Sequence, residues 1–188
     1  MTRLYLHMAT STTKGSAQVS WRGRFFEDFQ VGEIYQHPLG RTILDADNVW
    51  FTLLTMNTAQ PHFNEHFAAG HTFGKPLVNS CLTVAVVTGL SVTDISQNGA
   101  ANLGWDDVRM PHPVFVGDTL YAESRVLATR ASKSRPDVGI VKVRTRGFNQ
   151  HGDIVLTFTR SVMVNRRSGS PLDRFPKPKN SIDEEDQI

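Results

Sequence analysis

The sequence predicts an α+β fold, a single domain in which an antiparallel sheet wraps around one central apolar helix. A long apolar run, "CLTVAVVTGLSV", stands near the middle of the chain. Segments rich in β-branched residues follow it, and an extended segment comes before it. The 188 residues suit one compact core, because single domains commonly hold about 100 to 200 residues. A helix and a sheet in such a chain bury their apolar faces against each other.

The first predicted elements are an extended segment and a short helix. The stretch "FFEDFQVGEIYQHPLGRTI" combines aromatic residues with a glycine-containing turn, which favours an extended segment leading into a strand. In "LDADNVWFTLLTMN", Val49, Leu53 and Met56 recur at helical spacing, and Trp50 and Leu54 widen the apolar stripe. An aspartate in the first turn can accept backbone N–H groups. We therefore predict a short helix there.

A proline ends this helix, and the central helix follows after a glycine-containing loop. Pro61 lacks an N–H and disfavours helical geometry in Gln60, so the first helix should finish near Asn57. Ser80 can cap the central run, whose all-round apolar character favours a buried helix, although its four valines also suit a strand. Cys81 is the only cysteine, so it forms no internal disulfide, and a small buried side chain is expected there.

The rest of the core is predicted to be strands. The segments "LGWDDVRM", "DTLYAESRVLA", "GIVKVRTRGFN" and "DIVLTFTRSVMV" alternate partly with period two and are separated by turn residues. Antiparallel strands in sequence are the simplest interpretation. A sheet of this kind around one long helix has the outline of a hot-dog fold.

The predicted domain runs from residue 21 to 165, between an N-terminal tail at 1–20 and a C-terminal tail at 166–188. No acidic residue precedes Glu27, which is typical of an organellar transit peptide, but no sustained amphipathic period supports targeting. We therefore expect a simple tail, and a cytoplasmic rather than a mitochondrial location. The formal charge of +2 argues against nucleic acid as a partner, and the apolar run is too short to cross a membrane.

Three segments resemble the MaoC-like hot-dog dehydratases, which include the R-specific enoyl-CoA hydratases. They are "NTAQPH", "GKPLVNS" at the entry to the central helix, and "PVFVGDTL" at the start of a strand, and the resemblance covers residues 25–164. It implies a hydro-lyase that reversibly adds water to a 2-enoyl-CoA or dehydrates a 3-hydroxyacyl-CoA. No cofactor is implied, since coenzyme A enters only as part of the substrate.

The resemblance places the catalytic pair at Asn57 and His62. The family carries an aspartate where this chain has Asn57, and that residue and the histidine hold the water. An asparagine can orient water but cannot exchange its proton, so the proton must pass through His62 or a carboxylate such as Glu65 or Asp45. On an unbroken helix the two side chains would lie about 140° apart, so the break before Pro61 is needed to bring them to one site.

The resemblance also places an oxyanion donor at the start of the central helix, where first-turn N–H groups are unsatisfied. It maps onto the backbone N–H of Ser80, and Cys81 is a second candidate. Asn79 is a candidate substrate contact, and Arg130, Lys133 and Arg135 on a predicted hairpin are candidates for the CoA phosphates. The spacing of the nearby histidines matches no metal-binding motif, so no metal site is expected.

Other functions remain open at this point. Family members with asparagine in place of the aspartate resemble hydratases of branched dicarboxylic thioesters such as mesaconyl-CoA or itaconyl-CoA, which would need a cation such as Arg41 or Arg109. A hot-dog thioesterase would use a carboxylate such as Glu65, and a non-catalytic acyl-CoA-binding module would bind without turnover. Hot-dog domains usually pair, so we expect a homodimer or a higher homo-oligomer.

Overall fold

The computed structural model describes residues 22–169 together with residues 176 and 179, so the predicted tail at 1–20 lies outside the described residues. A twisted antiparallel sheet forms the body of the domain, with strand order β1-β4-β5-β6-β3 and β2 paired to β4. The strands are β1 (Ile34–Gln36), β2 (Arg41–Thr42), β3 (Gly99–Arg109), β4 (Thr119–Ala131), β5 (Val138–Phe148) and β6 (Ile154–Asn165). The sheet predicted after the central helix is confirmed.

The α-helices of the described chain all precede β3. They are α1 (Asp45–Leu54), α2 (Glu65–Ala69) and α3 (Ser80–Leu90), and a π-helical stretch, Val92–Ser96, continues from α3. Leu82 and Val87 of α3 pack with Leu156 and Phe158 of β6, forming one buried apolar cluster. This is the predicted hot-dog arrangement, with one helix packed against a face of the sheet. In the described part of the chain, no helix is long and apolar enough to span a bilayer.

Helix α1 buries its polar side. Asn48 and Thr52 are fully buried, whereas Trp50, Leu54 and Met56 of the predicted apolar stripe are 65%, 75% and 88% exposed. The helix is therefore confirmed, but the apolar stripe that predicts it does not face this chain's core. Contiguous exposed apolar side chains of this kind usually mark an interaction surface.

Helix α3 begins at the residue predicted to be its cap, which is one residue earlier than that prediction implies. Asn79 is the N-cap, and Ser80 is the first helical residue, so the prediction that Ser80 caps the helix is wrong. The predicted burial of Cys81 is also wrong, because its side chain is exposed. The helix buries Leu82, Thr83 and Val87 on one side and turns Cys81 to the other.

A chain of buried polar groups connects the segment after α3 to the middle of the sheet. Nδ1 of His37 donates to Asp94 Oδ2 at 2.8 Å, and Nε2 lies 2.9 Å from Ser124 Oγ. Burial alone would raise the pKa of Asp94, but hydrogen bonds from His37 and Arg24 outweigh burial and hold the pKa below its ordinary value. This carboxylate therefore stabilises the fold in its ionised form.

The described chain continues past the predicted domain end. Arg167 lies in a short 3-10 helix, and its Nη2 group is 2.6 Å from Asp28 Oδ1. The neighbouring Arg166 pairs with Glu27 at 3.4 Å. The first residues of the predicted C-terminal tail thus contact the start of the domain.

Candidate functional site

The segment after α1 reverses direction before it reaches His62. Met56 has a φ of 56°, a left-handed conformation that ends the helical path. Asn57 Oδ1 then accepts from the backbone N–H of Ala59 at 2.9 Å, and the N–H of His62 donates to Ala59 O at 3.3 Å. Helix α1 ends at Leu54, and His62 lies beyond it in the 3-10 turn Gln60–His62, as the proline predicts. Both predicted residues therefore belong to one compact turn.

His62 is held in a defined tautomer. Its Nδ1 lies 2.8 Å from the carbonyl oxygen of Leu77, and because a carbonyl only accepts, Nδ1 carries the hydrogen. In the neutral ring, Nε2 then carries the lone pair. A histidine oriented in this way by a backbone carbonyl is suited to accept a proton through its other nitrogen.

Asn48 connects the elements of the site. Its Nδ2 group donates to His62 O at 2.8 Å and to Leu77 O at 3.1 Å, and its Oδ1 accepts from the N–H of Asn79 at 2.8 Å. One buried amide from α1 therefore holds the histidine turn against the start of α3. Sequence reasoning missed this residue, although a polar side chain on a helix beside the site is a signal that could have found it.

Asn79 and Cys81 do not have the roles predicted for them. Asn79 is 3% exposed, its Oδ1 accepts from Cys81 N at 2.9 Å, and its Nδ2 donates to Thr52 Oγ1 at 3.2 Å. A buried capping side chain of this kind is not placed to contact substrate, and the Cys81 N–H is already used. Among the described residues, none accepts a hydrogen bond from the Ser80 N–H. Ser80 is therefore the remaining candidate for the oxyanion donor.

A cavity of about 320 Å³ opens beside Ser80. Its walls come from the segment before α3, from α3 itself, from the segment between β3 and β4, and from the start of β6. They consist of Phe73, Leu77, Val78, Ser80, Thr83, Met110, Pro111, His112, Pro113, Val114 and Val155. Leu77 is the link between the cavity and His62, because it is one of the wall residues and its carbonyl accepts from the imidazole. Neither Asn57 nor His62 is itself a residue of the described wall.

A basic group also stands near this cavity. The ammonium of Lys75 lies 4.0 Å from the centre of the Phe115 ring, and that ring packs edge-on against Phe73 of the cavity wall. Sequence reasoning missed Lys75, whose position within "GKPLVNS" was the available signal. A lysine at the rim of a substrate cavity is suited to meet a phosphate.

The basic hairpin predicted to contact CoA is far from the cavity within one chain. Arg130 is the next-to-last residue of β4, and Arg135 in the following turn pairs with Asp137 at 2.8 Å. The neighbouring Lys133 is in the same turn. This turn adjoins the last residues of β6, whereas the cavity adjoins the first, so about 30 Å of strand separates them. The structure thus does not bring Arg130, Lys133 and Arg135 to the cavity.

The other predicted side chains are also outside the cavity wall. Arg41 pairs with Asp47 at 2.7 Å, and Arg109 pairs with Asp107 at 3.0 Å. Glu65, the carboxylate that a thioesterase would use, is exposed at the first position of α2. Neither arginine is an unpaired cation.

Comparison with known proteins settles the family. The sequence matches the mesaconyl-CoA hydratase family over residues 9–187. The chain belongs to this family. It is 35% identical over 169 residues to the mesaconyl-CoA hydratase of Cereibacter sphaeroides, an alignment that covers 88% of this chain and 49% of that protein. It is 32% identical over 131 residues to the (R)-specific enoyl-CoA hydratase of Aeromonas caviae, covering 70% of this chain and 92% of that one.

The fold comparison agrees with this membership. A Mycobacterium tuberculosis protein with a double hot-dog fold superposes on this family member with a TM-score of 0.72, at 23% identity, over 87% of this chain and 54% of that chain. The predicted hot-dog fold and the predicted hydratase resemblance are both confirmed. The chain spans about half the length of the mesaconyl-CoA hydratases that it matches.

Proposed function

We propose that this chain is a hydro-lyase that adds water reversibly to a branched 2-enoyl-CoA, with mesaconyl-CoA as the leading substrate. One observation carries the proposal. The Leu77 carbonyl fixes His62 with Nε2 as its proton-accepting atom, and Leu77 lies just before α3. The first N–H of that helix, at Ser80, has no acceptor among the described residues. Mesaconyl-CoA is the substrate named for the relatives that match most of this chain.

In the proposed reaction, Nε2 of His62 takes a proton from a water molecule that the Asn57 amide orients. The oxygen of that water bonds to the β-carbon, and the electrons of the double bond move through the α-carbon onto the thioester oxygen. The Ser80 N–H and the positive end of α3 stabilise the resulting enolate. The imidazolium then returns its proton to the α-carbon, so one water is added and His62 is regenerated.

Asn57 has a restricted part in this reaction. Its Oδ1 already accepts from Ala59 N, so its Nδ2 group remains the natural donor to the water. An amide side chain cannot take up or release a proton near neutral pH. A single histidine therefore carries the proton in both steps, which distinguishes this site from one with an aspartate and a histidine.

The same observations disfavour the alternatives. A thioesterase needs a group that activates water for attack at the carbonyl carbon, and Glu65 is exposed on α2 rather than fixed beside Ser80. A non-catalytic module does not require a histidine whose tautomer is fixed. The ordered imidazole favours hydration.

We further propose that two copies pair through β3. This strand is at one edge of the sheet and pairs only with β6 in the described chain, and its Leu103, Trp105 and Val108 are 48%, 44% and 38% exposed. An open edge with apolar side chains favours pairing with another strand. Leu103→Arg should convert the dimer to monomer in analytical ultracentrifugation, while Val31→Arg, at an exposed turn residue, should not.

The activity is tested by following enoyl-thioester absorbance with mesaconyl-, itaconyl-, 3-methylglutaconyl- and crotonyl-CoA, while free CoA release is measured in parallel. Hydration that falls at least about 100-fold in His62→Gln, but not in His66→Gln on α2, supports the proposal. CoA release without hydration would identify a thioesterase. Binding without either reaction would identify a non-catalytic module.

A further inference from the structure

Among the described residues, one side chain in the wall of the cavity beside Ser80 can carry charge. Most of its wall is apolar, and its polar side chains are Ser80, Thr83 and His112. Apolar walls with a few placed polar groups are typical of small-molecule sites, where the polar groups set orientation and specificity. His112 is therefore the group in this wall that can distinguish an anionic ligand from a neutral one.

His112 is oriented by the backbone of β6. Its Nδ1 lies 2.9 Å from the carbonyl oxygen of Ile154, so Nδ1 carries a hydrogen and Nε2 is the atom left for a ligand. Pro111 and Pro113 on either side restrict the backbone that carries it. In the protonated ring Nε2–H donates, which gives a charge-assisted hydrogen bond to a carboxylate.

The neighbouring charged groups are already engaged or stand at the rim. Arg109 pairs with Asp107, and Asp153, next to Ile154, accepts from the amide of Asn149 at 3.2 Å. Lys75 stands over Phe115, which is outside the cavity wall. Within the part of the chain that the structure describes, no other ionisable side chain lines this cavity.

The dimensions suit a short dicarboxylic acyl group. A cavity of about 320 Å³ is roughly 8 Å across, whereas the thioester and carboxylate carbons of a four-carbon acyl group are about 4 Å apart. With the thioester oxygen at the Ser80 N–H, the far carboxylate stays inside the same cavity. We propose that His112 binds this carboxylate and so selects dicarboxylic acyl-thioesters, an inference that rests on the proposed hydratase function and names the residue behind its substrate class.

Binding of unreactive acyl-CoAs tests this inference without relying on turnover. Succinyl-CoA and butyryl-CoA differ only in a terminal carboxylate or methyl group, and calorimetry gives the ratio of their dissociation constants. We expect wild type to bind succinyl-CoA more tightly than butyryl-CoA. In His112→Gln the ratio of the two dissociation constants should fall at least about tenfold, while the dissociation constant for butyryl-CoA stays the same.

The controls separate this assignment from other readings. His151→Gln, an exposed histidine in the β5–β6 turn, should leave the preference unchanged, and equal melting temperatures exclude a folding defect. Equal weakening of both ligands in His112→Gln would place His112 against the CoA moiety and overturn the inference. So would a preference lost in Lys75→Met but kept in His112→Gln, or a wild type that binds both ligands alike or neither. If the preference depends on His112 but no enoyl-CoA is hydrated, the proposed function fails and this assignment stands.

Discussion

Removal of the Asn48 side chain should destabilise the domain and disorder its site. Asn48 is fully buried and makes three hydrogen bonds, to His62 O, Leu77 O and Asn79 N. In Asn48→Ala the N–H of Asn79 loses its acceptor in a buried position, which costs about 1–3 kcal/mol. His62 O loses a donor while Leu77 O keeps the imidazole, so we expect a total loss of about 3 kcal/mol in the free energy of unfolding.

The assay is urea denaturation followed by tryptophan fluorescence, with hydratase activity measured on the same samples. A loss of about 3 kcal/mol corresponds to a melting temperature lower by about 6–12 °C for a chain of this size. Activity should fall further than the folded fraction, because the turn that holds His62 is released. Gln30→Ala, at an exposed amide, is the control and should change neither quantity.

Two results would refute this reasoning. The first is a stability change below about 1 kcal/mol in Asn48→Ala, which would mean that the three hydrogen bonds are replaced without cost. The second is an Asn48→Asp variant as stable as wild type near neutral pH. That carboxylate keeps the acceptor for Asn79 N but sets an oxygen against the carbonyls of His62 and Leu77, so it should destabilise at least as much as alanine.

Three other predictions concern single side chains. In steady-state kinetics, Asn57→Ala should lower kcat at least about 100-fold. Asn57→Asp should retain hydration, and the pH profile of its kcat/KM should show one additional acidic group. The ionised Asp94 stabilises the fold above the unfolded pKa of this carboxyl, 3.8, and the stabilisation is lost as the pH falls through the lower folded pKa. In acid unfolding, the stability of Asp94→Asn should therefore depend less on pH below about 4 than the stability of wild type does. Burial lowers the pKa of Arg160 to about 10, and its Nε has no hydrogen-bond partner in the described chain, so Arg160→Met should raise the free energy of unfolding by about 1–3 kcal/mol in a denaturant titration.

The sheet was predictable because its periodicity is local. Strands β4, β5 and β6 carry β-branched residues bounded by turn residues, and pairing between consecutive segments follows from short connections. Helix α1 shows the limit of this reasoning. Helical spacing indicates which face is apolar, but it does not say whether that face meets the chain's own core or another surface. Here the core-facing positions are Asn48 and Thr52, which satisfy backbone and side-chain groups of neighbouring segments.

The site was predictable only in part. The break before Pro61 follows from the chemistry of proline, so the turn that holds Asn57 and His62 could be foreseen. Asn79 and Ser80 are adjacent residues that both cap helices well, and the sequence does not decide which one takes the cap. The cap position separates the two predicted oxyanion candidates, because the Asn79 cap uses the Cys81 N–H and leaves that of Ser80. The cytoplasmic location and the absence of a cofactor stay predictions, since no observation tests them.

The position of Asn48 explains why a residue of α1 matters to chemistry at the start of α3. A proton acceptor and an oxyanion donor on two separate loops would move independently, and displacements of about 1 Å between reacting groups can cost about 100-fold in rate. In this chain the Asn48 amide holds the backbone of His62 and the backbone of Asn79, the residue directly before Ser80, through one buried group. Because Leu77 O accepts from both the Asn48 amide and the His62 imidazole, the orientation of the imidazole is coupled to the same amide. Helix α1 therefore links the backbone at the proposed proton acceptor to the backbone at the proposed oxyanion donor. In the proposed mechanism, the restricted chemistry of Asn57 is tolerated because His62 is held in place.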